Sequence, residues 1–330
     1  TKDKHYESLR WSIDSNVRSI RMHQSIMLVG TDMASKLTRK KYNLQTKFRT
    51  VPGAVGNYEI LGKKHPVAEI EEIIIGSNTL SQKDYIDCRV MDLFIQTFYN
   101  NYLFEEVFAL LKSLEVSTFD CMFYIKNHPE LYSNNVKEII KDFISATIDD
   151  LYNNFEEAKQ SVLTPEIMVK YIEGKLGYNE LLENTVRLFN NFEDSRDLMF
   201  SAAKGTFKEK KLLSKDIENY LIELEKFISI RKNEPLTDIT AVKSMTFNYD
   251  FEAIRENEYQ INPNSIPLLK TPSRYDFFHN QEQQKYISKH KSRKSVEKPN
   301  PSGRVSKTPS PKISWKVLAL QNTGVLKPSK

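Results

Sequence analysis

Apolar and polar positions alternate between residues 17 and 28. A period of two predicts a strand with one apolar and one polar side. A second strand is predicted over 70–76, where a β-branched run ends at Gly76. Residues 50–66 between them contain three glycines and two prolines, which predicts a loop with short extended pieces.

From residue 82 to 232 the apolar positions recur every three or four residues, which predicts helices. Ser81 and Asp84 have the spacing of a capping box, and Thr164 precedes a proline and an acid, as at a helix start. The pattern predicts helices over 134–155, 165–174, 178–200 and 215–232. A strand over 245–251 and a last helix over 276–290 follow.

These elements indicate an α+β fold that is mostly α. A strand ending in the Gly30-Thr31 loop, then a strand opening onto a long helix, is typical of the end of an α/β barrel. We therefore expect the last strands of a partial barrel in residues 1–76 and a helical domain in 77–256. Residues 257–330 are expected to be irregular, basic and largely disordered.

The composition, 39% hydrophobic and 28% charged, is that of a soluble globular protein, and no apolar run is long enough to span a membrane. Residues 289–330 hold eleven Lys and Arg residues against the single acid Glu297, so this tail carries +10 and residues 1–288 carry −5 of the total +5. Such a tail binds nucleic acid or an anionic surface in some proteins. Because it lacks ordered aromatic residues between the basic ones, a merely solubilising tail is favoured over nucleic-acid binding.

The two cysteines, Cys88 and Cys121, lie far apart inside helical patterns. They form neither a disulfide framework nor a metal-spaced pair, so we predict two small buried side chains in a reducing cytoplasm and no metal ligands. Glycine-rich phosphate loops and zinc-type Cys/His spacings do not occur either.

Candidate site residues lie on the polar side of the first predicted strand. Arg21, His23 and Ser25 alternate there, and Gly30 and Thr31 form the loop after it. Inside a barrel these residues would line a cofactor and substrate cavity, because barrel enzymes bind ligands at the carboxyl ends of their strands. The alternative is a surface strand with ordinary polar residues. No catalytic residue is identified.

Four segments, Leu28–Thr31, Thr46–Arg49, Ala68–Ser81 and Asp84–Arg89, resemble the region that follows the catalytic half of cobalamin-binding radical S-adenosylmethionine (SAM) enzymes. The resemblance covers roughly residues 15–115 well and the helical remainder loosely. Val29 departs from it, since Pro is common there in relatives.

The resemblance implies a complete enzyme with a cobalamin domain, a TIM-like SAM barrel and a helical extension. A 4Fe-4S cluster would cleave SAM to a 5′-deoxyadenosyl radical, and cobalamin could carry a methyl group; the small-molecule substrate stays open. The cluster motif Cys-x-x-x-Cys-x-x-Cys does not occur in this chain, so the chain alone is expected to be inactive. It begins at Thr1, and we expect a C-terminal fragment.

The competing hypothesis is a non-enzymatic helical module with a basic tail that binds a partner through its helical faces. Both hypotheses predict the same helices. They differ in what precedes Thr1, where the enzyme hypothesis predicts the three cluster cysteines.

Overall fold

The computed structural model describes residues 1–149, 151–173, 175–232, 240–259, 271–279, 281, 282, 284, 285, 288 and 324–326. It begins with helix α1, Lys2–Asp14, which the apolar pattern did not predict. Leu9 and Ile13 of α1 are buried in the main core. A short helix α2, Lys36–Tyr42, follows and is capped by Ser35.

A long antiparallel hairpin comes next, with strands β1, Gln45–Ile60, and β2, Lys63–Gly76. Leu61 and Gly62 connect the strands with φ values of +50° and +75°. Positive φ at both central residues defines a type I′ turn, which matches the twist of a hairpin. Leucine is disfavoured in this left-handed conformation by about 1–2 kcal/mol.

The hairpin corrects the predicted loop over 50–66. The strand register shifts between Thr50 and Val55, so the Pro52 and Gly53 stretch is accommodated by an irregularity in β1. Pro66 lies opposite Asn57 near the end of the hairpin, where a missing N–H is tolerated. The predicted strand over 70–76 is confirmed as part of β2.

The predicted strand over 17–28 is wrong. One isolated bridge, Ile26 to Ile73, joins this segment to β2. Side chains at the end of the helical stretch over 82–99 and just after it bind part of the remaining backbone: Asn100 pairs with both the N–H and the C=O of Ile20, and Tyr99 donates to Val17 O. The segment therefore stays irregular, because side chains satisfy groups that a ladder would otherwise pair.

The helical region over 82–232 is confirmed. Its helices are α3, Gln82–Phe94; α4, Glu105–Ser113; α5, Thr118–Asn127; α6, Asn134–Asp149; α7, Phe155–Leu163; α8, Pro165–Ile172; α9, Glu180–Asn190; α10, Phe192–Glu209; and α11, Lys215–Lys232. A π-helical turn, Ile95–Tyr99, extends α3. The predicted capping box of Ser81 and Asp84 is present.

Two predicted helices are shorter than expected. The helix over 134–155 ends at Asp149, because Tyr152 exchanges two backbone hydrogen bonds with Phe48 of β1, at 2.7 and 2.9 Å. The helix over 178–200 is two helices, α9 and α10, separated at Asn191.

A second antiparallel sheet contains β3, Lys243–Phe247; β4, Ser273–Phe278; and β5, Gly324–Leu326, in the order β3-β4-β5. Helix α12, Phe251–Glu256, follows β3, so the predicted strand over 245–251 is confirmed only in its first half. The predicted helix over 276–290 is wrong at its start. Tyr275 and Phe277 alternate inward from β4 and pack against Phe247, with Phe277 also against Phe227.

The main core combines the helices with α1 and the second sheet. Its buried side chains come from each of the three predicted ranges, 1–76, 77–256 and 257–330, for example Ile13, Phe143 and Tyr275. The fold is mixed α+β and mostly helical, as predicted. Both sheets of the described residues are antiparallel and neither closes, so the expected end of an α/β barrel is not confirmed.

None of the helices in the described ranges is long and apolar enough to cross a membrane. Most of the basic tail, including residues 313–320, lies outside the described residues.

Candidate functional site

The sequence-predicted site residues lie on the surface. Arg21, His23 and Ser25 are exposed, and the Ser25 carbonyl accepts a hydrogen bond of 2.9 Å from Ile74 N. Gly30 and Thr31 are exposed as well, in a turn where Thr31 Oγ1 donates to Leu28 O at 2.8 Å. These five residues line neither cavity described below, so their role in binding a cofactor stays a prediction.

A chain of alternating charges lies where the hairpin meets the helices. It runs from Glu71 to Arg49, Glu180, Arg89 and Asp92, and we call these five residues the base network. Arg49 Nε lies 2.7 Å from Glu71 Oε1, and Arg89 Nη2 lies 2.7 Å from Glu180 Oε1. The network joins β1 and β2 to α3 and α9.

The base network contains three carboxylates and two guanidinium groups. Asp92 is 3% exposed, and burial raises its pKa from 3.8 to about 6 against the opposing effect of Arg89. The nearby carboxylate of Glu180 raises it further. Protonation of Asp92 would leave two carboxylates against two guanidinium groups, so the proton held by this raised pKa balances the charges of the network.

A cavity of about 20 Å³ adjoins the base network. Arg49, Thr50 and Glu180 line it, and Thr50 Oγ1 is buried without a hydrogen-bond partner among the described residues. Such a volume holds about one water molecule and excludes a cofactor.

A larger groove of about 590 Å³ lies between α3 and α6, and we call it the α3–α6 groove. Its apolar lining repeats at four-residue intervals, with Ile86 and Val90 on α3 and Ile140, Ile144 and Ile148 on α6. Polar side chains also line it: Gln82, Lys83, Asp87 and Lys126. Apolar side chains one turn apart on two neighbouring helices, with a polar edge, suit an amphipathic helix better than a compact polar substrate.

A second buried charge group fixes α11 to α4. Glu106 is fully buried and receives hydrogen bonds from Arg231 at 2.7 Å and Lys232 at 2.8 Å. Lys232 also donates to Leu103 O at 2.9 Å. Burial lowers the pKa of Lys232, while Glu106 acts in the opposite direction. This group lies inside the core and joins two helices.

The cysteines do not fit an iron–sulfur cluster. Cys88 lies half-buried on α3 and Cys121 lies buried on α5. Burial raises the pKa of Cys88 to about 11 and that of Cys121 to about 12, so both stay protonated thiols rather than thiolate ligands. Among the described residues no group of three His, Cys, Asp or Glu side chains could hold a metal ion.

The sequence patterns did not predict the base network or the buried group of Glu106, Arg231 and Lys232. The one signal for them in the sequence is that charged residues stand within apolar runs. Arg89 and Asp92 are three residues apart beside Val90 and Leu93, and Glu106 precedes five apolar residues. Charges on the buried side of a helix are rare unless paired, but the sequence does not show which partner they meet.

No protein-family model matches the chain, and a search of curated proteins finds no match to it either.

Proposed function

We propose that the chain is the C-terminal part of a cobalamin-binding radical SAM enzyme and packs against a catalytic part that lies upstream of Thr1. The observation that carries the proposal is a run of exposed apolar side chains within residues 26–37: Ile26, Leu28, Val29, Met33 and Leu37. These side chains are 43%, 61%, 99%, 46% and 79% exposed. Clustered exposed apolar side chains mark surfaces that another protein part covers.

The segments that carry the resemblance adjoin one another, which supports the proposal. Met27 N donates to Glu72 O at 2.8 Å, and Thr46 of β1 lies opposite Ile74 of β2. Gln24 donates to the Tyr85 hydroxyl of α3 at 2.6 Å. Thr46–Arg49 is thus paired with Ala68–Ser81 in the hairpin, and residues just before Leu28 contact this pair and α3.

Under this proposal, the 4Fe-4S cluster, SAM and cobalamin belong to the upstream part. The chain contributes a surface, with the exposed Arg21, His23 and Ser25 and the Gly30-Thr31 turn accessible to a neighbouring cavity. Its two cysteines supply no cluster ligands. The chain alone is therefore expected to have no SAM-cleaving activity.

Amide hydrogen exchange tests the packing. Exchange at residues 25–37 is compared between this chain and the longer protein that extends upstream of Thr1. We expect slower exchange at 25–37 in the longer protein and unchanged exchange at 136–147 of α6, which serves as the internal control. Equal exchange at 25–37 in both proteins would refute the packing.

A second candidate function is a helical partner-binding module, which the α3–α6 groove favours. Its partner would be an amphipathic helix with apolar side chains one turn apart, matching the ridges of Ile86, Val90 and Ile144. A partner captured with the wild-type chain is purified, and its binding to the purified chain is measured. Ile144→Asp should abolish this binding. The control Lys141→Asp changes an exposed residue on the same helix and should bind normally. A partner retained by both variants contradicts this function.

A further inference from the structure

The tip of the β1–β2 hairpin carries residues that a free hairpin does not favour. Leu61 occupies the first central position of the type I′ turn at φ +50° and is 98% exposed. Asn, Asp or Gly would fit this conformation and face water at lower cost. A leucine that is disfavoured both by its backbone and by its exposure indicates a role outside the isolated fold.

The apolar surface continues from the turn along one face of the hairpin. Residues directly opposite each other in an antiparallel pair share a face, so Ile60 and Lys63 lie together, followed by Tyr58 and His65. Tyr58 is 52% exposed and Ile60 57%, and Val67 farther along is 46% exposed. This end of the hairpin lies beyond Val55 and Ala68, which pack against α7 and α8.

The charges beside the tip are mainly positive. Lys63 and Lys64 follow the turn directly, and Glu59 is the single acid within residues 58–67. The basic tail adds a charge of +10 over residues 289–330, while residues 1–288 carry −5. The net positive charge of the chain therefore lies in the tail, and the tip adds two lysines against one glutamate.

We propose that the hairpin tip inserts into the headgroup region of an anionic membrane. Ile60 and Leu61 would enter the apolar boundary, and the exposed Lys63, which lies opposite Ile60, would reach a lipid phosphate with its long side chain. The basic tail supplies the second attraction that stable surface binding requires. Binding to nucleic acid would account for the lysines. It would not account for the exposed aliphatic side chains, because nucleic acids offer few apolar contacts to them. The inference is independent of the proposed enzyme family.

Flotation with lipid vesicles tests the proposal on the 330-residue chain. Vesicles of phosphatidylcholine with phosphatidylserine should bind the protein, pure phosphatidylcholine vesicles should bind at least several-fold less, and added salt should weaken binding. Leu61→Asp should reduce binding roughly tenfold, because a carboxylate resists insertion at the tip. This variant keeps the turn, since Asp-Gly is a preferred type I′ pair.

Leu212→Asp, between α10 and α11, provides the matched control, since it adds the same charge at another exposed leucine, 38% accessible, outside the hairpin. It should bind anionic vesicles as wild type does. Equal binding by Leu61→Asp and wild type would overturn the proposal, because the tail alone would then account for it. Equal binding to neutral and anionic vesicles would overturn it as well. So would a result in which added transfer RNA releases the protein from anionic vesicles and Leu61→Asp binds this RNA as well as wild type does.

Discussion

We predict that Asp92 makes the stability of the fold depend on pH, and Asp92→Asn tests this prediction. The side chain is 3% exposed and accepts a hydrogen bond from Arg89, which in turn binds Glu180 at 2.7 Å. Asparagine keeps the acceptor oxygen and the shape of the side chain. The substitution removes the buried negative charge and leaves the other members of the base network in place.

The magnitude follows from the pKa of Asp92. It rises from 3.8 to about 6 on folding, a difference of about 2 units or ~3 kcal/mol. Because the folded state holds the proton more tightly, Asp92 stabilises the fold at low pH, and this contribution is lost as the pH rises through about 6. About 2 kcal/mol of the loss falls between about pH 4 and about pH 7.5.

Urea unfolding followed by circular dichroism across this pH range measures the effect. The free energy of unfolding of Asp92→Asn relative to wild type should rise by about 2 kcal/mol from low to high pH. Asp149→Asn, which changes an exposed carboxylate near the end of α6, should give a curve parallel to wild type. A parallel curve for Asp92→Asn would refute the account of the base network.

Three further predictions concern the core and the thiols. Phe143→Ala, at a fully buried position of α6, should lower the free energy of unfolding by about 3–5 kcal/mol in urea titrations, and a loss below 1 kcal/mol would mean that α6 does not pack as described. Glu106→Gln should cost about 3–5 kcal/mol in the same assay, because it leaves Arg231 and Lys232 buried without their shared carboxylate; a neutral effect would contradict the buried ion group. Anaerobic reconstitution of this chain with iron and sulfide should yield no 4Fe-4S cluster by absorbance and metal analysis, and stoichiometric iron and sulfide would disprove the assignment of the cysteines.

The helical region could be predicted from the sequence because its signals are local. Val136, Ile139, Ile140 and Phe143 recur at helical spacing, and they are buried on one side of α6. Ser81 and Asp84 cap α3 through contacts within four residues. Period and capping are properties of short stretches, so no tertiary information was needed.

The elements that the sequence did not predict depend on distant partners. The alternation of apolar and polar residues over 17–28 is compatible with a strand. In the fold, however, the side chains of Asn100 and Tyr99, about eighty residues away, bind part of its backbone. The glycines and prolines of 50–66 indicated a loop, whereas pairing with β2 across a register shift keeps most of the segment extended.

The candidate site likewise combines local patterns, which the sequence shows, with contacts between distant residues, which it does not show. Arg21, His23 and Ser25 follow a correct local alternation, yet their place on the surface depends on the fold around them. The base network joins residues as far apart as Arg49 and Glu180, and no spacing in the sequence indicates that pairing.

SAM cleavage tests the central proposal most directly. Under the proposal a longer protein extends upstream of Thr1. This protein is reconstituted anaerobically with iron, sulfide and cobalamin, reduced, and supplied with SAM, and 5′-deoxyadenosine is measured beside the 330-residue chain alone. We predict formation of 5′-deoxyadenosine by the longer protein and none by the chain alone. A longer protein that lacks the three-cysteine motif and forms no 5′-deoxyadenosine would contradict the proposal.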